Sequence, residues 1–439
     1  MPFHGVLCAE TEAGVCPRLG TRLIGSSTLT VLLALAIAPE LVRRSPQSTA
    51  LVVLALSGVA EAVYAAAFAL QRHGPDFFIH WRAAYDVHLG RPLYRLDALL
   101  ANHFGHAYKL PPFYAMLLLP FAAADDTFIL LLHRLLNIAL YGGTGALLAR
   151  LLHPRLGWPL ALATLGIIMG LMQPAFDTIA YGQVDILLLL LLTLALLGLR
   201  SDRPWLVGLT IALATLIKLY PLIVSGFLLA QRAWKAVAWL VAMLALLTGI
   251  AVGVLGWQTH VIYLTQVLPR IGGGTSWIEN QTINGFLSRL LTGTVRIDPV
   301  HDRIIDLLTY GGFMLVMALS LLLAARPFDQ RSSRYALQVC LVMVVMVFAI
   351  PAAWMHYATI TIPAFAILLW HATAQPFRVG QAAALAMAFG LIAYGNQWRF
   401  FTGTLNPGLP LLALSFKGYG LAILWGLMAN TIWQAARLR

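Results

Sequence analysis

A polar segment at residues 76–112 carries the side chains best suited to chemistry in this 439-residue chain. Its reactive members are Asp76, His80, Tyr94, Tyr108 and Lys109. Together such carboxylate, imidazole, phenol and ammonium groups can exchange protons, bind hydroxyl groups and stabilise negative charge. Because connections between helices are usually short, a long connection with this set of groups is the first candidate for an active site.

The composition is that of a protein embedded in a membrane. Hydrophobic residues make up 60% of the chain, charged residues make up 10%, and the mean hydropathy is +0.80, whereas a soluble domain has about 25% charged residues. The 29 basic and 17 acidic residues are scattered singly between apolar runs, so the excess of positive charge indicates membrane topology rather than nucleic-acid binding. The three cysteines have no metal-ligand spacing and predict no disulfide framework.

Apolar stretches able to cross the ~30 Å hydrocarbon core of a bilayer recur along the chain. We predict spans at residues 23–41, 51–70, 127–149, 158–172, 184–199, 204–217, 222–230, 236–255, 304–325, 335–350, 357–370, 382–393 and 411–433. The sequence therefore predicts an all-α polytopic integral membrane protein with about 11–13 transmembrane helices. Residues 1–22 would form an N-terminal tail, and residues 23–439 a single transmembrane domain.

Basic residues cluster at the ends of many predicted spans, and such residues are retained on the cytoplasmic side. The clusters are Arg43 and Arg44, Arg150 and Arg155, Arg200 and Arg203, Arg232 and Lys235, Arg326 with Arg331 and Arg334, Arg378, and Arg437 with Arg439. If all face the cytoplasm, the outer face receives residues 76–112, 173–185, 218–221, 257–303, 352–356 and 397–410. We therefore predict that chemistry takes place on the outer face, between a first large loop at about 71–125 and a second at about 257–303.

The same constraint predicts a turn at residues 218–221. The chain between the clusters at Arg203 and Arg232 must cross outward and return, and Pro221 favours a helix break because it lacks a backbone donor. If residues 23–41 do not cross, the N-terminal tail is cytoplasmic and the remaining topology is unchanged.

Five short motifs follow one another on the predicted outer face. They are Asp76-Phe77 with Ala83-Ala84, Gly90, Tyr94, Tyr108-Lys109 and Pro111-Pro112; Tyr181-Gly182-Gln183 with Asp185; Lys218 with Pro221; Asn280-Gln281-Thr282 with Gly285 and Arg289; and Trp354 with His356. In this order they resemble glycosyltransferase family 87, a group with the GT-C fold, over nearly everything after about Glu61. The chain departs from the family pattern at His80, where tyrosine is common, and mildly at Thr282, where serine is usual.

The resemblance implies a membrane glycosyltransferase of the cytoplasmic (inner) membrane, with its active site on the periplasmic or exterior side. The donor would be a polyprenyl-phosphate-linked sugar, most often mannose, and the acceptor a glycolipid or a cell-envelope glycan. No cofactor is implied beyond this co-substrate. On the matching positions we expect substrate contacts from His80, Tyr94, Tyr108, Lys109, Gln183, Lys218, Asn280, Gln281, Arg289, Trp354 and His356.

Inverting sugar transfer requires a carboxylate that takes the acceptor proton on the face opposite the leaving group. Asp76 is the candidate for this general base, since it lies just past a predicted span, where partial desolvation would raise its pKa. The departing phosphate needs cations and hydrogen-bond donors, for which Lys218, Arg289 and His356 are placed on the outer side. A monophosphate donor requires no divalent metal, and no carboxylate cluster in the sequence would hold one.

Each assignment has a structural alternative. Asp76 could serve only as a helix N-terminal carboxylate, Lys218 could extend to the membrane interface, and Trp354 could belong to an aromatic belt. Gln183, Asp185, Asn280 and Gln281 could cap helices, while Tyr181, Trp277 and Trp398 could stack on a sugar or anchor the interface. Asp86 and Asp97 are expected to be solvated or paired with Arg82, Arg91 or Arg95. Glu61 lies within an apolar span and has no assigned role.

Two other functions remain open from the sequence. A transporter or flippase would also be polytopic, but its site would lie at the bilayer midplane between repeated halves, and no internal repeat is evident. A polymerase or ligase would use a diphosphate-linked donor, for which Arg270, Arg289, Arg296 and Arg303 supply cations.

Overall fold

The computed structural model describes residues 74–96, 107–271, 273–297, 300, 302–394 and 413–437. Several predictions fall outside these residues: the N-terminal tail, the spans at 23–41 and 51–70, and the side chains Glu61, Asp97 and Trp398.

The described residues form helices and no β-strand. In chain order the α-helices are α1 (Pro75–His88), α2 (Pro112–Leu118), α3 (Asp126–Gly170), α4 (Gln173–Tyr181), α5 (Asp185–Arg200), α6 (Pro204–Ile217), α7 (Val224–Ala230), α8 (Trp234–Leu255), α9 (Trp257–Ile262), α10 (Leu268–Ile271), α11 (Ile283–Thr292), α12 (Arg303–Ala324), α13 (Ser333–Phe348), α14 (Ile362–Ala374), α15 (Val379–Ala393) and α16 (Phe416–Arg437). Short 3-10 helices at Leu119–Phe121, Tyr220–Ile223 and Met355–Thr361 precede or extend these helices, and a π-helix occupies Tyr263–Val267.

Four of the described helical segments are long and apolar enough to cross a membrane. They are Asp126–Gly170, Trp234–Leu255, Arg303–Ala324 and Met355–Ala374, and shorter apolar helices lie between them. The second and third of these helices are buried over only a small part of their length, and Leu307, for example, is 72% exposed. An apolar helix with so little protein around it is stable only in lipid. The prediction of an all-α, multi-pass membrane protein is therefore confirmed.

The predicted spans at 127–149 and 158–172 form one helix with a kink. Helix α3 begins at the N-cap Asp125, whose side chain accepts a hydrogen bond from the Phe128 backbone amide, and runs to Gly170. Gly157 interrupts it with φ 71°, ψ 162°, between Pro154 and Pro159. This left-handed conformation suits glycine, so the sequence-based boundary coincides with the kink.

The predicted break near Pro221 is confirmed. Helix α6 ends at Ile217, Lys218 adopts an extended conformation, and a 3-10 turn containing Pro221 leads into α7. Helix α6 packs against both α5 and α8. The extended backbone at Lys218 therefore brings its side chain beside the first turn of α5.

The core lies around α5 and α13. Most α5 side chains are buried, and nearly every residue of α13 from Tyr335 to Val347 is buried. Helix α13 packs against α12, α14 and α16. Such continuous apolar burial is typical of a central helix surrounded by others, and it gives the loops at one end of the bundle a rigid base.

Candidate active site

The candidate general base lies in the first turn of α1. Pro75 starts this helix at a position where its missing N–H costs nothing, and Asp76 follows near the positive end of the helix dipole. Gln183 Nε2 donates a hydrogen bond of 2.8 Å to Asp76 Oδ2. Within the described part of the chain this amide is the one hydrogen-bond donor to the Asp76 carboxylate.

A glycine turn brings Gln183 to Asp76. Gly182 ends α4 in the left-handed conformation, at φ 73°. A Cβ atom at Gly182 would lie 2.4 Å from the Cβ of Phe77, a distance that real side chains do not tolerate. Only glycine therefore allows α1 to approach the turn between α4 and α5 closely enough for this hydrogen bond.

Burial gives Asp76 the electrostatics expected of a base. Desolvation raises the pKa of the Asp76 carboxyl above its usual range, while the hydrogen bond from Gln183 and the charges of Lys218 and Lys109 partly oppose the shift. Burial also lowers the pKa of Lys109 to about 8, with the Asp76 charge acting in the opposite direction. Both groups lie outside the candidate membrane-spanning helices.

A buried ion pair lies next to this base. Lys218 Nζ donates to both carboxylate oxygens of Asp185, at 3.0 Å each, and Tyr220 Oη donates to Asp185 Oδ1 at 3.0 Å. His356 Nε2 lies 3.5 Å from Asp185 Oδ2, and Lys218 Nζ sits 4.1 Å above the ring of Tyr357. Because Asp185 balances its charge, Lys218 offers the site an oriented ammonium group rather than a net positive charge.

These groups converge on one cavity of about 470 Å³. Of the predicted site residues, those that line it are Asp76, His80, Lys109, Gln183, Lys218, Trp354 and His356. They come from α1, the following loop, the α4–α5 turn, the α6–α7 turn and the start of the Met355–Thr361 3-10 helix. Segments assigned to one membrane face by the basic-residue rule therefore meet in one place.

His80 is held on edge against aromatic rings. Its ring makes T-shaped contacts with Tyr108 at 6.0 Å and Tyr114 at 5.4 Å between centroids. Burial and the neighbouring cations Lys218 and Lys109 lower the pKa of His80 well below its usual value, so the imidazole is neutral. Its Nδ1 is buried and has no hydrogen-bond partner among the described residues.

Tyr94 and Tyr108 lie behind the cavity wall. Tyr94 Oη donates to the Leu110 carbonyl at 2.8 Å, and Tyr108 Oη donates to the Pro111 carbonyl at 3.0 Å. Tyr94 also stacks on Tyr263 of the π-helix. Both hydroxyl groups are thus used to shape the loop that carries Lys109, which favours a supporting role over the predicted substrate contact.

Asn280, Gln281 and Arg289 also lie outside the cavity lining. Asn280 Nδ2 donates to the carbonyls of Thr275 and Pro351, and Gln281 Nε2 donates to those of Ile278 and Leu414. The Arg289 guanidinium donates to the carbonyls of Trp277 and Asn280 and to Ser415 Oγ. Apart from Arg289 Nε, which is buried without a hydrogen-bond partner among the described residues, these groups hold the segment at about 257–303 in place, so the geometry favours a structural role for all three.

The structure also places the two carboxylates Asp86 and Asp185 and further residues of the cavity lining. Asp86 pairs with Arg82 at 3.4 Å and with Arg91 at 3.2 Å, which confirms the predicted ion pairing. Asp185 does lie in the first turn of a helix, but its carboxylate binds Lys218, a partner that spacing along the chain does not reveal. Further lining residues not assigned as substrate contacts from the sequence are Tyr220, Tyr263, Arg270, Trp277, Glu279 and Tyr357.

No group of three or more histidine, cysteine, aspartate or glutamate side chains in the described ranges could hold a metal ion. That no metal is needed stays a prediction from the donor chemistry.

The fold and the cavity define a multi-pass helical membrane protein with two carboxylates, Asp76 and Glu279, and several cations around one cavity. The model of glycosyltransferase family 87 matches residues 108–351, and the chain belongs to this family. Asp76, His80, Trp354 and His356 lie outside the matched residues, so their placement in the cavity is an independent observation.

Two curated proteins are similar to this chain. Both are named polyprenol-phosphate-mannose-dependent alpha-(1-2)-phosphatidylinositol pentamannoside mannosyltransferase. The one from Mycolicibacterium smegmatis is 32% identical over 205 residues, which is 45% of each chain. The one from Mycobacterium tuberculosis is 27% identical over 270 residues, which is 60% of this chain and 58% of the relative. The chain thus spans about half the length of the curated relatives it matches.

Proposed function

We propose that this protein transfers one sugar from a polyprenyl-phosphate donor to a glycolipid or cell-envelope glycan acceptor, and that the sugar is mannose, as the names of its relatives indicate. Transfer takes place with inversion on the outer face of the cytoplasmic membrane. Asp76 is the general base. The observation that carries the proposal is the position of Asp76, which shares one cavity with Lys109, Lys218 and Arg270.

Asp76 has what a general base requires. One carboxylate oxygen is fixed by Gln183, and a raised pKa increases its proton affinity. Asp185 is less suited, because Lys218 and Tyr220 occupy its oxygens and it is fully buried. The acceptor hydroxyl therefore loses its proton to Asp76 as its oxygen attacks the anomeric carbon.

The leaving phosphate requires positive charge where its negative charge develops. Lys109 and Arg270 line the cavity, while Lys218 adds an ammonium group held by Asp185 and oriented above Tyr357. These groups can stabilise the charge that develops on the phosphate as the glycosidic bond breaks.

Three cavity-lining residues suit the recognition of sugar hydroxyl groups. His80 Nδ1, Gln183 Oε1 and His356 Nδ1 are buried and have no hydrogen-bond partner among the described residues. Leaving each such atom unpaired costs about 1–3 kcal/mol. A sugar hydroxyl can donate to Gln183 Oε1, and it can donate to or accept from an imidazole nitrogen according to the tautomer. A bound sugar would therefore remove an existing energetic penalty.

The test is a transfer assay with purified protein in lipid, labelled polyprenyl-phosphate sugars and membrane glycolipids as acceptors. We expect label from one monophosphate donor to enter a product. Movement of the donor across the bilayer without consumption would instead support a transporter or flippase, and use of diphosphate-linked donors alone would support a polymerase or ligase.

A further inference from the structure

A second cavity, at the other end of the bundle, is lined by cations that the proposed function does not use. Its volume is about 420 Å³, within the range of sites that hold small ligands. It lies where the α5–α6 turn, the α7–α8 turn and the start of α13 meet. Its charged lining residues are Asp202, Arg203, Arg232 and Lys235.

The helix ends around this second cavity are held in place by side chains that donate hydrogen bonds to backbone carbonyls. Arg200 donates to the carbonyls of Arg331 at 2.7 Å and Ser332 at 2.9 Å. Gln338 donates to the carbonyls of Leu323 and Arg326, and Gln231 donates to that of Ala324. The ends of α5, α7 and α12 are thereby joined, so the cavity is a built feature rather than a gap between mobile loops.

The cations in the cavity wall are, by contrast, unused. Arg203, Arg232 and Lys235 are exposed, and within the described part of the chain their side chains form no ion pair or hydrogen bond. Three like charges around one concave surface repel each other, and the single carboxylate in the lining, Asp202, balances only one of them. An anion placed between them would relieve that repulsion.

The backbone conformations of Asp202 and Arg232 support a functional role for their side chains in this cavity. Helices α5 and α7 both end in a Schellman motif: the Arg203 amide bonds the Gly198 carbonyl, and the Ala233 amide bonds the Leu228 carbonyl. The left-handed residue of this motif is usually glycine, but here it is Asp202 at φ 51° and Arg232 at φ 54°. They are the two non-glycine residues with positive φ in the described ranges, and both line this cavity.

Aromatic residues place the cavity at the membrane surface. Trp234, two residues after Arg232, is 61% exposed, and Trp205 at the start of α6 is 48% exposed. Exposed tryptophans at the ends of apolar helices lie at the level of lipid headgroups, and basic pockets on the cytoplasmic side bind anionic headgroups.

We propose that the cavity between the α5–α6 and α7–α8 turns binds the phosphate of an anionic phospholipid headgroup through Arg203, Arg232 and Lys235. A soluble phosphate ester has the same chemistry, but the flanking tryptophans favour a lipid. This binding does not depend on the sugar-transfer proposal.

The two left-handed positions provide a matched pair of variants. Arg232→Gly and Asp202→Gly both install the residue that the backbone prefers, so both should melt at or above the wild-type temperature. They change the cavity charge in opposite directions. Arg155→Gln removes an exposed cation from the same predicted face but outside the cavity, and it controls for general attraction to an anionic surface.

Native mass spectrometry would count phosphatidylglycerol and phosphatidylcholine retained by the full-length protein. We expect phosphatidylglycerol to be preferred, Arg232→Gly to weaken its binding by roughly fivefold, as for one cation near an anionic surface, Asp202→Gly to strengthen it, and Arg155→Gln to have no effect. If Arg232→Gly does not fold, Lys235→Gln should weaken binding similarly.

Equal retention of the two lipids, or equal binding by wild type and both glycine variants, would overturn the proposal. Displacement of phosphatidylglycerol by glycerol 3-phosphate at similar concentration would overturn the lipid assignment, because it would identify a soluble phosphate ester as the ligand.

Discussion

The buried pair of Lys218 and Asp185 allows a quantitative test of the arrangement beside the base. Removing one partner of a buried ion pair leaves an uncompensated charge and typically costs about 3–5 kcal/mol. In Lys218→Met the Asp185 carboxylate keeps the hydroxyl of Tyr220, which does not neutralise it. We therefore expect a loss of folding stability within that range.

The second single variant, Asp185→Asn, should lower the folding stability less than Lys218→Met does. In Asp185→Asn the Lys218 ammonium still lies 4.1 Å above the Tyr357 ring, an attraction worth about 0.5–2 kcal/mol. The expected destabilisation is accordingly at or below the lower end of the same range, near 2–3 kcal/mol.

The double variant Lys218→Met with Asp185→Asn carries neither charge and should recover much of the lost stability. Chemical unfolding in detergent, or thermal unfolding where that is irreversible, would measure all four proteins. The expected coupling between the two sites exceeds about 2 kcal/mol, as for residues in direct contact. Additive effects of the two substitutions would show that the pair is not formed and would refute the assignment of Lys218 as an ammonium group whose charge Asp185 balances.

Two further predictions concern residues next to Asp76. The Lys109 ammonium has a pKa of about 8, so it is charged below that pH and neutral above it. Sugar transfer should therefore decline as pH rises through about 8. Lys109→Arg should remove this decline, because arginine stays protonated. A decline that persists in Lys109→Arg would contradict this role. Gly182→Ala should lower stability by about 2–4 kcal/mol through backbone strain and overpacking, and it should also reduce transfer. The control Gly142→Ala, in open space within α3, should be neutral or slightly stabilising. Coincident unfolding curves of the two variants would rule out the tight contact between Gly182 and Phe77.

Much of the helical framework could be predicted because it depends on local signals. Long apolar runs marked the helices, the Pro221 break followed from the missing backbone donor, and the charge asymmetry of short loops indicated which segments share a face. The shared face and the resemblance to glycosyltransferase family 87 together place Asp76, Gln183 and His356 in one set of candidates, and all three line the cavity.

Pairing between elements could not be predicted in the same way. Helical periodicity shows which residues share a face of one helix, but not which helices pack together, so the sequence predicts no contact between Asp185 and Lys218. Asn280 and Gln281 illustrate a second limit: amide groups suit sugar hydroxyls and backbone carbonyls equally well. Only the folded chain shows that the carbonyls of Pro351 and Leu414 already bind them.

The most direct test of the central claim compares sugar transfer by wild type, Asp76→Asn and Asp86→Asn in lipid, with equal folding verified for each. Asp86 lies on the same helix, but its carboxylate pairs with Arg82 and Arg91. We expect Asp76→Asn to lower the turnover rate by about 10²–10⁴-fold, the usual contribution of a general base, and Asp86→Asn to remain close to wild type. Full transfer activity in Asp76→Asn would contradict the account.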